Sequence, residues 1–175
     1  MNKLIPKFPT EIINDIICPK DFFPNNAQLP LLIYKRVFHF TNPDAQTIQK
    51  LLKENNWVNS GVDQIYNYDH YHSTTHEALV IMEGTCKVQI GGNEGTLYTL
   101  DKGDVIVIPA GVSHKSITSS DDFKCVGSYP EGHKPDMNYG KAEEHPTVDI
   151  HIKKVPRPDS DPIFGLQGPL LDYWK

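Results

Sequence analysis

The chain has 175 residues, 38% hydrophobic and 22% charged, enough for one packed core and too apolar for global disorder. Its 17 Lys and Arg against 22 Asp and Glu give a formal net charge of -5, which argues against sequence-independent nucleic-acid binding and a basic membrane-surface protein. No apolar run reaches the ~18 residues of a spanning helix, and Met1 to Thr10 lacks the apolar core of a secretory signal.

Cys18, Cys86 and Cys125 are scattered, with no C-x-x-C pair, which suits a reducing cytoplasm better than a disulfide framework. The expected localisation is cytoplasmic. In chain order, a short helix is expected from Thr10 to about Ile17, stopped by Pro19. Leu31 to Phe40 is β-branched and aromatic and reads as a strand. A helix follows: Asn42 can cap it, Pro43 suits its first position, and Ala45, Ile48, Leu51 and Leu52 recur at helical spacing.

Gln64 to His72 alternates, and Ala78 to Met82 is apolar on both faces, so both faces need cover. A second sheet, a terminal extension or a partner subunit can supply it. Cys86, Val88 and Ile90 form the apolar side of a strand that ends at the turn Gly91-Gly92, so Cys86 is expected to be buried. Thr96 to Leu100, Val105 to Ile108, His114 to Thr118 and Phe123 to Ser128 follow at short intervals. Many short strands with peripheral helices predict an antiparallel sandwich or barrel. Tyr129 to Gly140 is polar and rich in Pro and Gly, a loop suited to close a barrel mouth, with His133 and Asp136 as its ionisable residues. Pro156, Pro158, Pro162 and Pro169 exclude a long helix from Val155 to Lys175, and the apolar end there suggests docking onto the barrel or a second subunit.

Chemistry concentrates in Asp69-His70-Tyr71-His72-Ser73-Thr74-Thr75-His76-Glu77. Residues two apart in a strand share a face, so His70 and His72 present both imidazoles to one side, with Tyr66 and Tyr68 beside them. Imidazoles near a carboxylate make ligands for Zn, Fe, Mn or Ni. Further along, Pro109 and Gly111 turn the chain so that His114 opens a strand and can project inward. An unbroken strand from His70 would put His76, not Glu77, with the other two histidines. A turn at Ser73-Thr74-Thr75 would reset that parity, and apolarity alone does not decide.

These residues resemble the two motifs of the cupin superfamily. The first, G-x5-H-x-H-x3-4-E-x6-G, is met by His70, His72, Glu77 and Gly84, and the second, G-x5-P-x-G-x2-H-x3-N, by Gly103, Pro109, Gly111 and His114. Gln64 replaces the leading Gly of the first motif and Thr118 the closing Asn of the second. Neither position is a ligand in cupins. The stretch His70 to Glu77, Tyr129-Pro130-Glu131-Gly132 and the tail from Val155-Pro156 to Gly168-Pro169-Leu170 resemble more narrowly the YjlB-like group of bacterial cupins.

The resemblance implies an all-β, single-domain antiparallel cupin (jelly-roll) barrel with one or two peripheral helices. Within it, 1–60 is an N-terminal extension, 61–130 the cupin core and 131–175 a loop and C-terminal extension. It implies one divalent transition metal ion (Fe, Mn, Ni or Zn) on His70, His72, Glu77 and His114, with His76 left to packing. It also implies a small-molecule ligand or substrate, no nucleic acid, no membrane, and a homodimer. Oxygenase, isomerase and lyase chemistries all occur on this scaffold, and no residue declares itself a general base. A metal-containing binding or sensing module without turnover is the alternative.

Overall fold

The computed structural model describes residues 4–175; Met1, Asn2 and Lys3, part of the stretch read for a signal segment, lie outside them. Among the described residues, nine strands form two antiparallel sheets. They are β1 (Glu11–Ile17), β2 (Asn26–Lys35), β3 (Trp57–Asp63), β4 (Glu77–Glu83), β5 (Thr85–Ile90), β6 (Thr96–Asp101), β7 (Val105–Ile108), β8 (His114–Ser119) and β9 (Lys124–Pro130). The larger sheet runs β1-β2-β7-β4-β9-β3 and the smaller β6-β5-β8.

Two departures from the sequence reading concern which segments pair. Glu11 to Ile17 is a strand, not a helix: Glu11 lies opposite Lys35 and Ile13 opposite Ile33 on β2. Its isoleucines are stiff at χ1 and favour a pleated surface, and their partners sit about twenty residues downstream, outside any local window. Ile12 and Ile13 then pack into different cores, as strand alternation requires. The strand expected over Gln64 to His72 lies earlier, as β3, and the segment after it is irregular, with single bridges from His70 to His114 and from Tyr71 to Asn138.

Helix α1 (Ala45–Glu54) is capped by Asp44 rather than Asn42, and the Asp44 carboxylate accepts from the Gln46 and Thr47 amides at 3.2 Å each. Its apolar stripe buries Ile48 and Leu52. A second helix, α2 (Thr147–Lys154), lies in a segment for which no element was expected, and a five-residue helix, α3 (Pro169–Tyr173), closes the tail. No helix among the described residues is long and apolar enough to cross a membrane.

Strand β4 divides two cores. Leu79 and Ile81 face Val88, Ile90, Leu100 and Phe123 in the core between the sheets. Ala78, Val80 and Met82 face the other way, toward Ile48, Leu52, Trp57, Leu170 and Trp174. The chain's own extensions therefore cover the outer face of β4, with each large buried side chain contributing about 1.5–3 kcal/mol. The tail docks onto its own barrel. Trp174 Nε1 donates to the Pro30 carbonyl at 2.9 Å, and the buried Asp161 carboxylate accepts from Tyr34 Oη at 2.7 Å and from the amides of Ile163, Phe164 and Leu170.

Candidate metal centre

The chain bends at Ser73 and Thr74, and Asp136 from the loop after β9 holds this turn. Its carboxylate accepts from the Ser73 amide at 2.6 Å, the Thr74 amide at 3.2 Å and the Ser73 hydroxyl. The turn ends the alternation begun at His70, so Glu77 opens β4 on the inner side and His76 lies on the outer. His76 is fully engaged there. Its Nδ1 accepts from the Ala110 amide at 2.9 Å, its Nε2 faces the Pro156 carbonyl at 3.2 Å, and its ring lies 4.6 Å from that of Trp174. Burial depresses its pKa to about 4, so it is neutral at neutral pH.

His114 opens β8 after the turn at Gly111, which has φ +92°; a Cβ there would sit 2.5 Å from the Asn25 carbonyl oxygen. The backbone bridge between His70 and His114 brings their rings to 4.2 Å, and His72 lies 5.7 Å from His114. His70, His72, Glu77 and His114 thus converge as buried side chains from three separate stretches of chain. Each histidine is fixed through Nδ1: His70 on the Tyr68 carbonyl at 3.0 Å, His72 on Asp136 at 2.6 Å and His114 on Val112 at 3.0 Å. Those bonds place the proton on Nδ1 and leave the Nε2 lone pair for the interior.

The three histidines fit a metal ion, and Glu77 stands beside two of them. The ligand atoms of the three histidines lie within 4.8 Å of one another. Glu77 Oε2 lies 3.3 Å from both His72 Nε2 and His114 Nε2. Two donors of a tetrahedral ion, each ~2.1 Å from it, lie ~3.4 Å apart. Glu77 Oε2 is also buried without a hydrogen-bond partner, whereas Oε1 accepts from Tyr129 Oη at 3.1 Å. A buried carboxylate oxygen left unpaired is costly unless a cation completes it.

Electrostatics divides the four. Burial and the neighbouring His114 press the His70 pKa down to about 3, which keeps its imidazole neutral. Burial opposes charge on His72 as well, but Glu77 outweighs it and raises its pKa. Burial likewise opposes charge on Glu77, yet His72 and His114 hold the carboxylate well below its usual range.

A cavity of about 310 Å³ opens from this cluster and is bounded by β3, β9 and the loop after β9. Tyr66 lines it, while Tyr68 does not but stacks on Tyr66 at 5.1 Å. Of the loop residues singled out in the sequence, Asp136 is in the wall and His133 is not. Cys125 lies in the wall with its thiol pKa raised by burial, and Cys86 is buried elsewhere. The sequence reading missed Tyr129 as a partner of Glu77, and Asn59 and Asp63 as wall residues. Placing the strand before Gln64, rather than after it, would have found the last two.

Residues 61–126 match the family model described as a cupin domain. Over 151 residues, 86% of this chain and 89% of the relative, the sequence is 37% identical to the uncharacterized protein YjlB of Bacillus subtilis. The chain is a cupin of the YjlB-like group. Among solved structures this cupin is similar to a DUF861 family protein of Thermotoga maritima, at 24% identity and a TM-score of 0.32 over 46% of this chain and 89% of that one. It is also similar to acireductone dioxygenase of Bacillus anthracis with a cadmium ion in its active centre, at 20% identity and a TM-score of 0.38 over 54% and 64% of the two chains.

Proposed function

We propose that this cupin is a metal-dependent enzyme acting on a small polar molecule, with one divalent transition metal ion (Fe, Mn, Ni or Zn) held by His70, His72, Glu77 and His114. The unpaired, buried Oε2 of Glu77, set between two imidazoles whose Nδ1 atoms are already bonded, carries the reading. When bound, such an ion supplies a Lewis acid to a substrate oxygen or a redox centre. The chain's own residues do the rest. The backbone carbonyls at Tyr68, Asp136 and Val112 fix the imidazoles, and Tyr129 holds one oxygen of Glu77 so that the other faces inward. Pro135 and Met137, from the loop after β9, narrow access to the cavity.

The packing of α1 and the tail against the outer face of β4 supports a cupin core at 61–130 that folds as one unit with its extensions. The free thiols support a reducing, cytoplasmic setting. Because the extensions already cover β4, a homodimer would need another surface. The test is elemental analysis of protein purified without added metal or a metal-binding tag, then oxygen uptake and product formation across a metabolite panel. One equivalent with turnover is expected. Far less than one equivalent after reconstitution overturns the reading, and one equivalent without turnover makes the protein a binding module.

A further inference from the structure

The charges of the cavity wall point to a class of ligand. Histidines aside, each formally charged side chain on the wall is a carboxylate: Asp63, Glu77 and Asp136. Two of the three are already engaged. Glu77 belongs to the proposed metal set. Asp136 is saturated by the Ser73 and Thr74 amides, their two hydroxyls and the Asn138 side chain. Asp63 is different. It ends β3, where pairing with Cys125 on β9 fixes its backbone. One of its oxygens accepts from the Gln64 amide at 2.7 Å, and no described group bonds to the other. It is exposed at the wall rather than buried.

The nearby lysines do not balance it. Lys115, next to His114, is held by Asp69 at 3.0 Å, and Lys134, next to Pro135, is not in the wall. A divalent ion with Glu77 leaves one positive charge at the inner end, enough for one anionic oxygen donor on the ligand. Toward solvent, where the wall is exposed rather than buried, the ligand meets the Asp63 carboxylate. A second anionic group there finds repulsion, while an ammonium finds a partner. At about 310 Å³ the cavity is at the small end of the ~300–1,000 Å³ typical of ligand pockets.

Resting on the metal reading above, we infer that the substrate is a small amine-bearing molecule. One end offers oxygen donors to the ion, the other carries an ammonium facing Asp63, and neither carries phosphate or a second carboxylate.

Three hydroxamates of matched length test this on cobalt(II)-loaded full-length protein, read by the visible cobalt spectrum: γ-aminobutyrohydroxamate, butyrohydroxamate and succinomonohydroxamate. They share the chelating group and the four-carbon chain and differ in the far-end group, an ammonium, a methyl or a carboxylate. The cationic probe is expected to bind about tenfold tighter than the anionic one, with the neutral probe between. In Asp63→Asn that spread should shrink to about twofold, with cobalt content still one per chain. Equal or tighter binding of the anionic probe overturns the inference, as does a spread that survives in Asp63→Asn; in both cases the cobalt content shows that the metal reading stands. Protein that takes up no cobalt and shows no spectral response to any probe overturns the metal reading, and the inference with it.

Discussion

Two buried carboxylates on opposite sides of β4 are built on opposite plans. Asp161, in the outer core, has both oxygens occupied by a tyrosine hydroxyl and three backbone amides. Glu77, at the inner end, has one oxygen on Tyr129 and the other unpaired between two imidazoles. A carboxylate that holds a fold together is saturated by the fold itself. One left half-satisfied between two imidazoles is completed by nothing the fold supplies. His76 and Glu77 repeat the contrast in adjacent residues: His76 is spent on a backbone amide, a carbonyl and Trp174, and Glu77 is kept open.

Removing the saturated carboxylate should have the largest effect on stability. Asp161→Ala leaves Tyr34 Oη and three amides unpaired and frees the tail, at a cost of about 3–5 kcal/mol in chemical denaturation. Glu77→Ala should reverse the balance. Metal affinity falls by more than about a hundredfold in competition titrations, beyond the cost of losing a supporting contact, while stability changes by about 1 kcal/mol or less. A large stability loss with metal binding intact would merge the two carboxylates into one class.

His76→Ala should cost about 2 kcal/mol, by orphaning the Ala110 amide and opening space beside Trp174, with metal stoichiometry still one. Loss of the metal in this variant, and not in Glu77→Ala, would move the third ligand to His76. The same residue sets a pH dependence. Its folded pKa of about 4 lies below the ordinary value of 6.5, so between those values the unfolded chain binds the extra proton. The contribution is complete above pH 6.5 and is lost as pH falls toward 4, amounting to about 3 kcal/mol. Denaturation midpoints across that range should fall in the parent and flatten in His76→Gln. The smallest effect is expected of Tyr129→Phe, which releases one oxygen of Glu77 and should weaken metal binding by about tenfold without changing stoichiometry.

Much of this molecule is written locally. The spacing of His70, His72, Glu77 and His114, the turn residues Pro109 and Gly111, and the alternation at Cys86, Val88 and Ile90 each depend on a few consecutive residues. The motif spacing carries the family resemblance, and the alternation gives the strand faces, because side-chain direction follows from backbone period. Other features depend on partners far away in sequence. Glu11 to Ile17 is a strand because β2 offers it an edge, and helix α1 starts where Asp44, rather than Asn42, reaches the first free amides. The parity at His76 and Glu77 was open until Asp136, some sixty residues on, clamped the turn between them and His72. Tyr129 and Asp63 enter the site only because β9 and β3 pair beside β4. Hydrogen bonds and buried area are shared between distant segments, and a sequence lists each partner without stating which of them meet.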